Sequence, residues 1–366
     1  MTEAASTAVG TAGFSEPRRL NFEFSGRGGE FFRIWIVNLV LTILTLGIYS
    51  AWAKVRTWRY FYGNTSLDGV SFEYHAAPIR ILIGRVIAIA LLIGLSMLQN
   101  LYPSAAFIVA PVYILAMPFF IKMSLRFNAR MTSYRNVRFN FVGTYWDAFK
   151  AYILWPLAGL VTLGILWPLA VRAGKRYYVD NHTYGGRPFE TVIPGWAIYG
   201  IYLLAFLLFL IIIGPGLYYF SHFLGPIKDI IGTGKEPSQE NMQVMLAGGM
   251  PFIFLLYGAA IIVFFFINTK VTNLAVNKTV FDGRHGFSST LGVLAMTWIT
   301  LTNAVLTVIT FSLFYPWARI RAARYRARHT SFLAASGLSE FISEAFEKQS
   351  AVGEEIADIW DLDIGI

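Results

Sequence analysis

Seven long apolar runs constrain this chain more than any other feature of its sequence. A helix needs about 20 apolar residues to cross a bilayer, and the runs approach or exceed that length. None of them contains Asp or Glu, and the whole chain is 56% hydrophobic and only 14% charged. The sequence therefore predicts an integral membrane protein. The runs cover residues 31–53, 81–99, 105–121, 149–171, 196–220, 244–267 and 291–318.

Four of these runs are predicted to be simple membrane spans. They pair along the chain, 81–99 with 105–121 and 196–220 with 244–267. Basic residues collect at the outer ends of each pair, whereas the loops inside the pairs carry little net charge. Because Lys and Arg accumulate on the cytoplasmic side of membrane proteins, we expect two transmembrane hairpins. Their outer ends, and both chain termini, are expected in the cytoplasm.

The other three runs are interrupted. They continue as TLGIYSAWAKVR at 45–56, TLGILWPLAVRAGKR at 162–176 and TFSLFYPWARIRAARYR at 310–326, and the first two align without a gap at an offset of 117 residues. Glycine permits a bend in a helix, and proline cannot donate to the hydrogen-bond ladder of a continuing one. The predicted helix breaks are Gly47, Gly164, Pro168 and Pro316.

Both ends of every interrupted unit are basic. A segment that crosses the membrane once should have one basic end and one end poor in basic residues. One interpretation is therefore a helical hairpin that enters and leaves on the cytoplasmic face, with its bend near Thr45-Leu46-Gly47. The alternative is an ordinary spanning helix with a glycine in its middle, since glycine is common in membrane helices.

Short turn-forming phrases recur outside the apolar runs. They read NTSLDGVSF at 64–72, NHTYGGRPF at 181–189 and NKTVFDGRHGF at 277–287, with a fainter copy, TSYRNVRF, at 132–139. Asp-Gly or Gly-Gly between β-branched and aromatic residues is a hairpin signal. We expect these phrases to form small β-hairpins or extended clamps outside the hydrocarbon.

The predicted fold is an all-α polytopic membrane protein. It is an internally repeated helical bundle with interrupted TLG units and short extramembrane β-hairpin-like clamps. The acidic C-terminal tail is predicted either to be solvated or to dock onto the basic helices. The predicted divisions are a disordered N-terminal tail (1–20), a first membrane repeat (21–137), a second (138–275), a partial third (276–335) and the acidic tail (336–366).

Three motifs of the first repeat resemble those of a known family. The succession is F-x-F-x-G at 22–26, N-x-x-L-T-x-L-T-L-G-I-Y-x-x-W-A-K-x-R at 38–56 and R-Y-x-x-x-N-T-x-L-x-G-x-x-F at 59–72. It is similar to the YjgN-like bacterial inner-membrane proteins, a family defined by a domain of unknown function. The resemblance extends from about residue 21 to about residue 330. It implies a multi-pass protein of the inner (plasma) membrane, but it does not imply any particular activity.

Aromatic and basic residues follow each break at helical spacing, which places them on one helix face. The simplest interpretation is an interfacial anchor, with tryptophan at headgroup level and arginines on lipid phosphates. The sharper hypothesis is an anionic-ligand site formed by converging arginine faces, because guanidinium groups suit phosphate and carboxylate. The candidate contacts are Trp52, Arg56, Arg59, Arg176, Trp317, Arg321 and Arg324.

Several functional classes receive no support from the residues. The chain has no cysteine, and its five histidines show no ligand spacing, so we expect no metal or other cofactor. It has neither a Walker lysine motif nor a G-x-S-x-G elbow, and we expect no enzymatic activity. The net charge of +9 reports orientation in the membrane, and no nucleic-acid partner is expected.

Two functional hypotheses remain, and both have membrane lipids as neighbours. The favoured one is a channel or transporter for a small solute, because matched interrupted segments mark substrate sites in repeat transporters. The alternative is a membrane scaffold or lipid-binding protein whose basic cytoplasmic face engages anionic headgroups or another anionic ligand. The polar residues that could line a path are Asn38, Thr42, Thr45, Thr162, Thr302, Asn303 and Thr310.

Overall fold

The computed structural model describes residues 18–221, 232 and 238–335. The predicted N-terminal tail lies outside these residues except for 18–20, which begin a strand. The predicted acidic tail, 336–366, lies wholly outside them, and so does its proposed docking.

Ten short strands of the described chain close into an antiparallel barrel. Each strand pairs with the strands next to it in sequence, and the first and last strands pair with each other from Arg18↔Ala334 to Asn21↔Ser331. The strands are β1 (Arg18–Phe24), β2 (Thr65–Leu67), β3 (Val70–Tyr74), β4 (Thr132–Tyr134), β5 (Val137–Phe141), β6 (His182–Tyr184), β7 (Arg187–Thr191), β8 (Thr279–Phe281), β9 (His285–Ser289) and β10 (Thr330–Ala334).

The barrel shows that the prediction of an all-α protein is wrong. The turn-forming phrases do form β-hairpins, but these hairpins are not separate clamps. Each one pairs with the next, for example Phe72↔Tyr134 between β3 and β4 and Phe139↔Tyr184 between β5 and β6. Pairing removes the exposed edges that an isolated two-stranded hairpin would leave, and such a hairpin is only marginally stable.

Helical hairpins connect successive β-hairpins, so that every helical unit leaves the barrel and returns to it. A π-helical turn at Lys150–Leu154 continues α5 into α6. The helices are α1 (Gly28–Leu44), α2 (Ser50–Gly63), α3 (Pro78–Leu101), α4 (Ala106–Arg130), α5 (Tyr145–Phe149), α6 (Trp155–Val161), α7 (Trp167–Asp180), α8 (Gly195–Ser221), α9 (Gln239–Asn277), α10 (Val293–Ile309) and α11 (Tyr315–Arg328).

The described helices form a ring above the barrel. Each helical hairpin contacts the next one, through α2 and α3, α4 and α5, α7 and α8, and α9 and α10, and the ring closes where α11 contacts α1. The units alternate between short hairpins (α1–α2, α5–α7, α10–α11) and long ones (α3–α4, α8–α9). The 117-residue repeat therefore contains two helical units and two β-hairpins.

Four described helices are long and apolar enough to cross a membrane: Pro78–Leu101, Pro103–Arg130, Gly195–Ser221 and Leu246–Asn277. Only 6–17% of their most apolar windows is buried within the chain. In α3, for example, the buried residues are Ile81 and Gly84, close to the barrel. Away from the barrel these helices present apolar side chains outward, as lipid-facing helices do.

The four turns that join the β-hairpins of the described chain lie at the end of the barrel opposite the helices, which we call the turn pole. Two successive residues in each turn have positive φ, as a type I′ turn requires. Glycine, asparagine and aspartate tolerate this region best. The turn residues are Asp68-Gly69, Arg135-Asn136, Gly185-Gly186 and Asp282-Gly283.

One apolar side chain from each strand forms a layer inside the barrel, the barrel layer. The odd-numbered strands each contribute a phenylalanine, and neighbouring rings of this set, for example Phe22 and Phe72, lie 6.1–6.5 Å apart between centroids. The barrel layer consists of Phe22, Leu67, Phe72, Tyr134, Phe139, Tyr184, Phe189, Phe281, Phe287 and Phe332.

Candidate membrane-lipid site

The three interrupted motifs form the apices of the three short helical hairpins. At the end of α1, the N–H of Leu46 donates to the carbonyl of Ile43 (3.1 Å) and that of Gly47 donates to the carbonyl of Thr42 (2.7 Å). These are the two hydrogen bonds of a Schellman motif, which ends a helix and satisfies its last carbonyls. The chain reverses over residues 45–49, and α2 begins at Ser50.

The same bend recurs in the other two short hairpins. Leu163 and Gly164 hydrogen-bond as Leu46 and Gly47 do, and so do Phe311 and Ser312. The threonine before each pair stabilises the bend, because its hydroxyl donates to the carbonyl four residues earlier and accepts an N–H four residues later. The predicted breaks Gly47 and Gly164 lie within the bends, whereas Pro168 and Pro316 lie in the first turn of the returning helix.

Each bend presents one large apolar side chain at its apex. Leu46, Leu163 and Phe311 are 92–95% exposed. All three have φ between +47° and +52°, a left-handed conformation that costs a non-glycine residue about 1–2 kcal/mol. A strained backbone that holds a fully exposed apolar side chain is unfavourable in water. It is favourable when that side chain is buried in hydrocarbon.

The dimensions of the short hairpins match one leaflet. Arg56 follows Leu46 by ten residues, and Arg321 follows Phe311 by ten, which corresponds to about 15 Å along a helix. One leaflet contributes half of a hydrocarbon core that is about 30 Å thick. An apex at the middle of the bilayer therefore places these guanidiniums at the level of the lipid phosphates.

In each of two short hairpins, a buried asparagine links the two helices by hydrogen bonds. Asn38 donates to the carbonyl of Ala53 (3.4 Å) and accepts from Nη1 of Arg56 (3.4 Å). Asn303 repeats this arrangement, donating to the carbonyl of Ala318 (3.1 Å) and accepting from Arg321 (3.4 Å). These hydrogen bonds fix both the spacing of the two helices and the direction of the arginine.

Helix α11, with Gly28 of α1 and Ile299 of α10, lines an open basic groove of about 470 Å³, which we call the α11 groove. Its floor includes Trp317, which lies so close to Gly28 of α1 that a Cβ atom there would clash. Arg324 donates to the carbonyl of Gly26 (3.0 Å), and the guanidinium of Arg328 has no hydrogen-bond partner among the described residues. The groove is lined by Gly28, Ile299, Phe314, Trp317, Ile320, Arg321, Arg324, Tyr325, Arg328 and His329.

Two further basic grooves adjoin the second short hairpin, α5–α7. One, of about 350 Å³, contains Lys150, Arg172 and Arg176, and its acidic residues offset part of this charge because Arg176 pairs with Asp180 (3.1 Å). A hydrogen bond from the Thr144 hydroxyl, reinforced by Lys150, lowers the pKa of the Asp147 carboxyl in this groove. The other, of about 310 Å³, contains Lys122, Arg126 and Arg130.

The predicted contact residues do not converge on one site. Trp317, Arg321 and Arg324 share the α11 groove, whereas Arg176 lies in a separate groove. On α2, Trp52 packs against the helix–barrel core, and Arg56 and Arg59 hydrogen-bond inward, Arg59 to the carbonyls of Tyr74 (3.3 Å) and Ala76 (3.3 Å). The described arginines are therefore distributed over several helical hairpins of the ring.

The sequence pattern locates the bends, but it does not single out the exposed apical side chains or much of the groove lining. Leu46 and Leu163 stand inside the TLG motif, but a leucine carries no signal of positive φ. Arg328 follows Arg321 and Arg324 at helical spacing and could be predicted from that pattern, whereas Lys150 is recognisable only as a member of a basic end. Among the described residues there is no cluster of three or more side chains that could hold a metal ion.

The polar residues proposed to line a path make hydrogen bonds within their own hairpins. Asn38 and Asn303 are buried between two helices. The threonines donate to carbonyls of their own helices, as Thr42 does to Asn38 (2.6 Å), and Thr302 also accepts from Arg321 (2.7 Å). These groups therefore offer little unsatisfied polar surface to a passing solute.

Residues 19–359 match the model of a bacterial protein family of unknown function, DUF898. The chain belongs to this family. It is 26% identical over 344 residues to a protein named "Inner membrane protein YjgN" from Salmonella typhimurium, covering 84% of this chain and 87% of the relative. A relative of the same name from Escherichia coli K12 is 23% identical over 351 residues, covering 86% and 88%. No solved structure matches the chain.

The expected resemblance to YjgN-like inner-membrane proteins is confirmed by these matches. The relatives are inner-membrane proteins, and the described chain has four helices suited to crossing a membrane. Neither the family description nor the names of the relatives assign an activity.

Proposed function

We propose that this protein is an inner-membrane scaffold that binds anionic phospholipids of the cytoplasmic leaflet. The observation that carries the proposal is the pairing, on two short hairpins, of a fully exposed apolar apex with an inward-held arginine ten residues away. The apex reaches the middle of the bilayer, and the arginine meets the phosphates. The barrel then lies on the cytoplasmic surface, and so do both chain termini.

The α11 groove is the strongest headgroup site. Arg321 and Arg324 point into it beside Trp317, and none of its lining residues is acidic. Guanidinium groups recognise phosphate, and tryptophan favours the membrane interface. Each basic residue near an anionic surface contributes about 1 kcal/mol to lipid binding.

The channel hypothesis has weaker support. Its proposed polar lining is engaged in hydrogen bonds within the hairpins. Only 6–17% of the most apolar windows of the long helices is buried within the chain, which fits contact with lipid better than an enclosed path.

A lipid-binding experiment tests the proposal. The full chain in nanodiscs of phosphatidylcholine is titrated with short-chain phosphatidylglycerol and followed by native mass spectrometry. Replacing Arg321 and Arg324 together by glutamine keeps an N–H donor for their partners and removes two charges. We expect binding to weaken by about thirtyfold, which corresponds to about 2 kcal/mol.

The matched control removes two arginines at the turn pole, Arg18→Gln with Arg284→Gln. In that variant Asp68 still pairs with Arg135, and Asp282 still pairs with Arg187. We therefore expect little loss of stability. Equal loss of phosphatidylglycerol in both double variants contradicts the proposal. So does a solute flux from liposomes that is independent of lipid type and disappears with the groove arginines.

A further inference from the structure

The barrel contains a partly open cavity of about 260 Å³ within the barrel layer. All ten strands contribute to its wall. Its lining residues are apolar or tyrosine, except for Asp68 and Arg135. The tyrosine hydroxyls are engaged, since Tyr134 donates to the carbonyl of Leu67 (2.8 Å) and Tyr184 donates to that of Tyr134 (2.9 Å). Protein cores are close-packed with few voids larger than a water molecule, so this volume is unusual.

The turn pole closes the cavity with a charged cluster. Asp68 accepts from Arg135 (2.8 Å) and from Arg18 (2.9 Å). Two guanidiniums and one carboxylate leave a net charge of +1 at this end. The cluster therefore attracts an anionic group to one end of an apolar chamber.

Arg135 has an unused donor at the cavity. Its Nε is buried and has no hydrogen-bond partner among the described residues, while its Nη2 holds Asp68. A buried donor without a partner is destabilising. Arg135 lines the cavity, and a shift of its side chain toward the cavity would let an oxygen atom of a ligand satisfy this donor. The cavity and the donor are separate observations that indicate the same kind of molecule.

We propose that the barrel binds one medium-chain aliphatic carboxylate. Its alkyl chain occupies the space within the barrel layer, and its carboxylate accepts from the Nε–H of Arg135. The volume suits a single short chain and is too small for the two chains of a phospholipid, because even drug-sized pockets span about 300–1,000 Å³. This site is on the barrel axis and is distinct from the α11 groove.

Photo-crosslinking tests the proposal in the full chain in nanodiscs. A decanoate analogue with a diazirine at its terminal carbon is irradiated, and labelled residues are mapped by mass spectrometry. We expect saturable labelling on the barrel strands, including Phe139, Tyr184 or Phe189. Unlabelled decanoate should compete with it, and decanol should compete poorly because it lacks the carboxylate.

Two tryptophan variants separate the cavity from the lipid phase. Phe189→Trp places a larger side chain in the cavity and should reduce barrel labelling about tenfold, because the indole occupies space that the alkyl chain needs. Phe264→Trp is the matched control on α9, where Phe264 is 60% exposed, and it should leave labelling unchanged. Labels confined to the long helices overturn the proposal. Labelling of the barrel that neither saturates with decanoate nor falls in Phe189→Trp does so as well.

Discussion

At the residue scale, the bends depend on backbone conformations that few residues adopt. Gly47 has φ +92°, and a Cβ atom at this position would meet no other atom within 4 Å. Alanine would therefore introduce backbone strain without a steric clash. We expect Gly47→Ala to lower the free energy of unfolding in detergent by about 1 kcal/mol, measured by thermal unfolding.

Gly63 provides the matched control for this prediction. It is the last residue of α2, a Cβ atom there would likewise meet no other atom within 4 Å, and its φ is not positive. Alanine has the higher helix propensity, so Gly63→Ala should leave stability unchanged or raise it by up to about 1 kcal/mol. Equal destabilisation by both substitutions would show that the sign of φ is irrelevant at the bend.

A second residue-scale prediction concerns pH. His285 is 1% exposed, and its Nδ1 accepts from the N–H of Ala335 (3.0 Å). Burial, followed by the nearby Arg284, lowers the pKa of this imidazole, while Asp282 opposes the shift. The folded state therefore binds fewer protons than the unfolded state below the ordinary histidine pKa of about 6.5. Stability should fall as the pH decreases below about 6.5 and stay level above it.

The variant His285→Asn tests the origin of this acid sensitivity. An asparagine oxygen can accept from Ala335 in place of Nδ1, and it does not titrate. We expect the variant to lose less stability than the parent chain between neutral pH and pH 5, measured as the midpoint of thermal unfolding. An unchanged difference would assign the acid sensitivity to other groups, such as His75 and His182, whose pKa values burial also lowers.

At the element scale, the short hairpins illustrate what sequence patterns can and cannot indicate. The matched TLG motifs and the two basic ends pointed to a helical hairpin with its bend at Thr45-Leu46-Gly47, because charge and glycine are local signals. The patterns did not indicate that Leu46 itself takes the positive φ, since leucine rarely does. Nor could they pair Asn38 with Arg56, because that contact depends on how two helices are rotated against each other.

Insertion of the short hairpins into one leaflet can be measured by fluorescence quenching. The chain has no cysteine, so a single cysteine at Leu46 can carry a bimane label without background. We expect lipids brominated near the ends of their acyl chains to quench this label more than lipids brominated near the headgroup. A label at Trp58, twelve residues further along and about 18 Å from the apex, should show the reverse order. Identical profiles at the two positions would contradict leaflet insertion.

At the scale of the whole molecule, the barrel could not be inferred from its pieces. Its strands are three to seven residues long, and the β-hairpins are separated by long helical units. The Asp-Gly and Gly-Gly turns correctly predicted β-hairpins, but they did not indicate which hairpins pair with each other. Pairing of β1 with β10 joins residues more than 300 positions apart, and no local pattern carries that information. The prediction of a helical bundle was wrong for the same reason, because the five helical units of the described chain are organised around a sheet.

The closed ring predicts the topology in the membrane. Every helical unit begins and ends at the barrel, so the outer barrel surface should lie on one side and the tips of the long hairpins on the other. Cysteines are placed singly at Glu73, Glu190 and Lys278, which are exposed at the barrel, and at Tyr102, which is 63% exposed at the tip of α3–α4. With the barrel in the cytoplasm, a membrane-impermeant maleimide added to intact cells should label only position 102. Glu73 and Glu190 are equivalent positions of the 117-residue repeat, and a short hairpin that crossed the membrane once would place them on opposite sides. Labelling of one without the other would therefore contradict the arrangement, whereas permeabilised cells should show labelling at all four positions.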